Sequence, residues 1–92
     1  MSATDVEVSR ALNALVTTLN DQRPVEPDEA RWQAIVTGAL GGGRTIVVRR
    51  ERDGGALHDA QDGRVLGRFR REGDRWLSER AGAPLSGGYI PR

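Results

Sequence analysis

The chain has no cysteine and no lysine, a single histidine, and aromatic side chains at only 4% of its 92 positions. Without cysteine, disulfides, iron–sulfur clusters and thiolate zinc sites are excluded. The same lack suits a reducing compartment, so a cytoplasmic location is expected. With His58 as the lone imidazole, histidine-rich metal sites are excluded too, and neither a metal nor a cofactor is expected. No run of about eighteen apolar residues is present to cross a membrane as a helix. Residues Met1 to Leu12 lack the basic-then-apolar order of a secretory signal, so none is expected there.

The absence of lysine means that all fourteen basic residues are arginine. Codon usage in a GC-rich genome suffices to produce that bias. Selection for forked, planar hydrogen bonding to phosphate or carboxylate is the alternative. Net charge is +1, which announces no nucleic-acid partner by itself. The charge is uneven, however: residues 1–40 are net acidic and residues 41–92 net basic.

What is present fits one small domain. Hydrophobic residues at 37% and charged residues at 29% are too balanced for disorder by composition. Thr4-Asp5-Val6-Glu7 has the form of a capping box. Val8, Leu12, Leu15, Val16 and Leu19 follow at helical spacing, which predicts a helix over about 5–20. A polar connection containing Pro24 leads to a second helix over about 27–40. Pro27 suits its first turn, and Asp28 and Glu29 complement its dipole. Trp32, Ile35, Val36, Ala39 and Leu40 form its apolar face, and Gly41 ends it. Beyond Gly43 the texture turns β-branched, with turn signals at Asp53-Gly54-Gly55, Asp62-Gly63 and Gly73-Asp74. Strands are expected over about 44–52, 56–61, 64–71 and 75–80.

The expected fold class is α+β: an N-terminal antiparallel helical hairpin packed on one face of a three- to four-stranded antiparallel β-meander. One domain over residues 1–80 is followed by a flexible or loosely docked tail, 81–92, with Leu85, Tyr89 and Ile90 as its docking groups. A core this small has a thin stability margin, and self-association is a plausible supplement.

Two motifs invite chemistry. Gly38-Ala39-Leu40-Gly41-Gly42-Gly43-Arg44-Thr45 has the spacing of a phosphate-binding loop with arginine in place of lysine. That chemistry needs a strand before the loop and free amides at a helix start after it. Here a helix precedes and a strand follows, so a helix stop is the better reading. His58-Asp59, with Asp53 and Asp62 nearby, has the elements of an acid–base dyad but no nucleophile beside it. Turn aspartates and a surface histidine account for it. No catalytic residue is assigned.

The outer face of the sheet carries the functional expectation. With Ile46 and Val48 inward, Val47 and Arg49 point outward; with Val65 and Phe69 inward, Leu66, Arg68 and Arg70 do so. With Leu77 inward, Trp76 points outward. The expected partner-binding set is therefore Val47, Arg49, Leu66, Arg68, Arg70 and Trp76, an apolar patch rimmed by arginine. The opposite phase at Trp76 and Leu77, or a tail folded over the face, is the alternative.

Three functions follow from this set. The first is a small non-catalytic protein-binding module, an adaptor, regulator or inhibitor, anchored by Trp76. The second is nucleic-acid binding by the basic half, through Arg49, Arg50, Arg52, Arg64, Arg68, Arg70 and Arg71. It is weakened by interleaved Glu51, Glu72, Asp74 and Glu79, which pair with arginines across strands. In outline, two helices before a meander resembles the small bacterial ribonuclease toxins, although those carry a strand ahead of the helices and none is read here. The resemblance implies, as a third function, a ribonuclease resting on His58 and neighbouring arginines. An outline alone does not carry function.

Overall fold

The computed structural model describes residues 3–21 and 28–80, with the backbone of 85–86. Helix α1 spans Asp5–Asp21 and α2 spans Glu29–Ala39. Four strands follow, β1 (Ile46–Glu51), β2 (Gly54–Asp59), β3 (Val65–Glu72) and β4 (Arg75–Arg80), and Leu85–Ser86 adds a short β5. The sheet is an antiparallel meander in the order β1-β2-β3-β4-β5, with both helices on one face. The expected α+β class is the observed one. Of the expected tail, Leu85 and Ser86 pair with β4 as β5. Tyr89 and Ile90 lie outside the described residues, as does Pro27.

Local chemistry sets the helix limits. The capping box is formed reciprocally: Glu7 N–H donates to Thr4 Oγ1 at 3.2 Å, and Thr4 N–H donates to Glu7 Oε1 at 3.0 Å. In α2 the cap is Asp28, whose carboxylate accepts the Arg31 N–H at 3.0 Å. The helix therefore starts two residues later than expected. Gly41, at φ 67°, sits in the left-handed region that stops a helix cheaply.

The helices are antiparallel, and the sheet fixes their direction. The start of α1 is tied to the end of β4, where Arg80 donates to Asp5 at 2.8 Å and to Ser9 at 2.9 Å. The end of α1 meets the start of β4 through Asn20 and Trp76. Along α2, Glu29 bonds Arg50 and Gln33 bonds Ile46 and Val48, so α2 runs against β1. Between helices and sheet lies one core. It contains Val8, Ala11, Leu12, Leu15 and Leu19 of α1, Trp32 and Val36 of α2, and Ile46, Val48, Leu57, Leu66, Phe69 and Trp76 of the sheet.

Two sequence expectations are corrected by this packing. Gly54 and Gly55 belong to β2 rather than to the first turn, which closes at Arg52-Asp53. Gly55 is opposite Phe69 in register, and a Cβ there would lie 2.6 Å from Phe69 Cζ. The ring occupies the space that a side chain would need.

The second correction concerns Leu66 and Trp76, both expected on the outer face and both in the core, at 9% and 5% exposure. Between β2 and β3 the register slips by one residue, with Leu57 opposite Gly67 but His58 opposite Val65. This bulge leaves Leu66 unpaired and turns it toward the helices. On β4, Phe69 faces the helices and pairs with Ser78, so Trp76, two residues before Ser78, faces them too. Burying the indole gains more apolar area than burying Leu77, and two aromatic neighbours await it. Trp32 and Phe69 meet edge to face at 5.0 Å, and Trp76 lies 6.2 Å from Trp32 and 6.0 Å from Phe69.

Candidate functional site

Strand alternation and register together define the face turned away from the helices. One row crosses it as Arg49, Ala56, Arg68 and Glu79, from β1 to β4. The adjacent row reads Glu51, Gly54, Arg70 and Leu77. Val47 and His58 begin the next row, both half-buried. Of the expected binding set, the structure brings Val47, Arg49, Arg68 and Arg70 to this face and removes Leu66 and Trp76 from it. Leu77, expected inward, is half-buried and outside the core cluster, and it replaces Trp76 as the apolar group of β4 on this side.

Charges on the face are partly matched. Arg68 Nε lies 3.0 Å from Glu51 Oε1, and Arg70 lies 3.2 Å from Glu72. These side chains are 39–64% exposed, so each pair contributes at most about 1 kcal/mol. Arg49 and Glu79 have no ion pair among the described residues. A recess of about 210 Å³ opens above Gly54, lined by Glu51, Arg68, Arg70, Leu77 and Glu79 among others. That is below the roughly 300 Å³ at which small-molecule pockets begin, and it suits a side chain of a partner better than a free ligand.

The basic half does not present a single arginine face. Arg50 is in the helix-facing row, and its guanidinium sits 4.5 Å from the Trp32 ring centroid, a cation–π contact over the core. Arg71 pairs in register with the inward Trp76. Of the sheet arginines, Arg49, Arg68, Arg70 and Arg75 face outward, with Glu51, Glu72 and Glu79 among them, which is poor convergence for phosphates.

His58 and Asp59 point to opposite faces of β2 and form no dyad. His58 Nδ1 lies 3.1 Å from the Gly63 carbonyl oxygen. Asp59 is in register with Ile46, is 1% exposed, and accepts backbone N–H bonds from Gln61 at 2.8 Å and Ala3 at 3.1 Å. The Gln61 bond is the largest influence on its carboxyl and, with the others, holds its pKa below the ordinary carboxylate value despite burial. Its role is to fasten the residues before α1 to the end of β2. The glycine-rich segment after α2 is equally committed: Leu40 N–H donates to Val36 and Thr37, Gly41 to Gly38, Gly42 to Thr37 and Gly43 to Leu40. Those amides are used in closing the helix, so none is left to cradle a phosphate.

Sequence reasoning missed Gln33 and Asn20, whose carboxamides close the two sides of the sheet. A polar amide inside a helix carries no signal of its own; only its place in the apolar stripe, beside Trp32 and beside Leu19, hints at an inward position. No helix among the described residues is long and apolar enough to cross a membrane. Comparison of the chain with protein-family models, with curated proteins and with solved structures finds no match.

Proposed function

We propose that this chain is a small non-catalytic protein-binding module of the cytoplasm, an adaptor, regulator or inhibitor. It meets its partner with the uncovered face of its sheet. The single observation that supports this reading is that both helices lie on one side. The opposite side, with Arg49, Arg68, Arg70 and Leu77, has no described element over it. Interfaces favour this mixture: arginine forks for partner carboxylates, an apolar spot, and a recess that takes one side chain. Trp76 and Leu66 have no part in it, since both are committed to the core.

The test is affinity capture from a host lysate with the intact chain and with an Arg49→Glu/Leu77→Glu variant, each with and without nuclease. Proteins recovered by the intact chain, lost with the variant and indifferent to nuclease support the reading. Equal recovery by both chains overturns it. Loss of every captured species on nuclease treatment would favour the nucleic-acid reading instead.

A further inference from the structure

Of the two outward rows, the first is self-complementary in charge, and the second has Glu51 at one end and Leu77 at the other. In both, β3 carries arginine (Arg68, Arg70) where β2 carries almost no side chain (Ala56, Gly54). The first row ends in Arg49 on β1 and Glu79 on β4, neither of which has an ion pair among the described residues.

A two-fold axis lying between two facing sheets, parallel to the strands and above the β2–β3 junction, lays β1 of one copy over β4 of the other. It lays β2 over β3 in the same step. Arg49 then faces Glu79 of the second copy, and Glu79 faces its Arg49. Arg68 stands over the second copy's Ala56, and Arg70 over its Gly54.

Facing sheets pack about 10 Å apart. Within each copy Arg68 reaches across β2 to Glu51 and Ala56 is fully buried, so the middle of the contact is already covered and the pairing falls to its two charged ends. The other in-plane axis, perpendicular to the strands, sets Arg68 on Arg70 and leaves Ala56 facing Gly54. That arrangement joins like charges in the middle of the contact.

We propose that two copies of this chain pair sheet face to sheet face about this axis, with Arg49–Glu79 ion pairs at both ends of the contact. The proposal rests on the reading that the uncovered face is the binding surface, and it names the occupant as a second copy. Closed two-fold symmetry is the commonest way for such a patch to be satisfied.

Sedimentation equilibrium of the purified full chain tests it. The expected result is a concentration-dependent species of twice the 10.0 kDa chain mass. Arg49→Glu and Glu79→Arg should each weaken pairing by about tenfold or more, because each sets like charges opposite one another. The double variant Arg49→Glu/Glu79→Arg should recover it, and circular dichroism should show all three variants folded. A monomer at every concentration overturns the proposal. So does a dimer that the single variants leave unchanged, or one that the double variant does not recover. A monomer whose capture of another protein still depends on Arg49 and Leu77 would leave the protein-binding reading intact. A dimer with the expected charge dependence, but with no such capture, would sink the adaptor reading alone.

Discussion

Gln33 Oε1 lies 2.8 Å from the backbone nitrogen of Val48, in the position that the carbonyl of a further strand would occupy beside β1. The same carboxamide donates from Nε2 to the Ile46 carbonyl oxygen at 3.0 Å, completing the imitation of a strand peptide. One turn earlier, Glu29 accepts the Arg50 N–H at 2.8 Å. Across the sheet, Asn20 does the same for β4, accepting the Trp76 N–H at 2.9 Å and donating to its carbonyl at 3.3 Å, at a position that β5 does not reach. An open strand edge is a template for aggregation, and each helix here supplies an amide that closes one.

Replacing Gln33 with alanine should therefore cost about 1–3 kcal/mol, because the partly buried groups of Ile46 and Val48 are left unpaired. Asn20→Ala should cost a similar amount. The two sites are on opposite edges of a four-strand width, about 14 Å apart at the usual strand spacing, so their effects should add within about 0.5 kcal/mol. Urea unfolding of the singles and the double measures this. A Gln33→Ala protein as stable as the parent would mean that water replaces the amide without loss.

Trp76 was expected as a binding anchor and is a core residue, and the two roles predict opposite outcomes. Trp76→Ala should cost about 3–5 kcal/mol, a large share of the stability of a small domain. The near-ultraviolet circular dichroism of the aromatic cluster should collapse with it. Leu77→Ala, one residue on, should cost well under half as much, since that side chain is half-exposed. Equal costs at the two positions would reverse the assignment of faces.

Much of this architecture was legible in the sequence because it rests on local rules. The Thr4–Glu7 box, the stripe from Val8 to Leu19, the stop at Gly41 and the turn at Asp62-Gly63 each announce themselves within a few residues. The phase of a strand is not local in that sense. Alternation along β3 predicted Leu66 outside, and a one-residue slip opposite Leu57 and His58 reversed it. At Trp76 and Leu77 two apolar neighbours made the phase ambiguous from sequence, and the partner strand decided it. The candidate face was half legible: its arginines were found, and its apolar members were exchanged. Gln33, Asn20 and, through its bond to Ala3, Asp59 act on backbone groups distant in sequence, which no spacing rule reveals.

Asp59 gives the fold an acid limit. Its carboxyl titrates below the ordinary value of 3.8 in the folded chain, because the N–H groups of Gln61 and Ala3 favour the charged form. A folded pKa depressed below the unfolded one contributes stability that is complete above the unfolded value and is lost as pH falls through the folded one. Asp59→Asn should thus be less stable than the parent at neutral pH, and the gap should narrow as pH drops below about 4. Unfolding free energies measured across that range check the sign. A gap independent of pH would mean that the bonds to Gln61 and Ala3 are indifferent to the charge.

Gly55 and Phe69 offer a separable test of the core. A methyl group at Gly55 would stand 2.6 Å from Phe69 Cζ and 2.9 Å from the Arg49 carbonyl oxygen, one neighbour being a movable ring and the other a strand backbone. Gly55→Ala should cost about 1–3 kcal/mol by overpacking. Phe69→Leu alone should also destabilise, by leaving part of the space against Trp32 and Trp76 unfilled. Combined, the two should cost less than the sum of their separate costs, because the shorter side chain withdraws the atoms that the new methyl group meets. Recovery should be incomplete, since the Arg49 carbonyl stays where β1 holds it. Strict additivity in a double-mutant cycle would show that the backbone contact, and not the ring, sets the requirement for glycine.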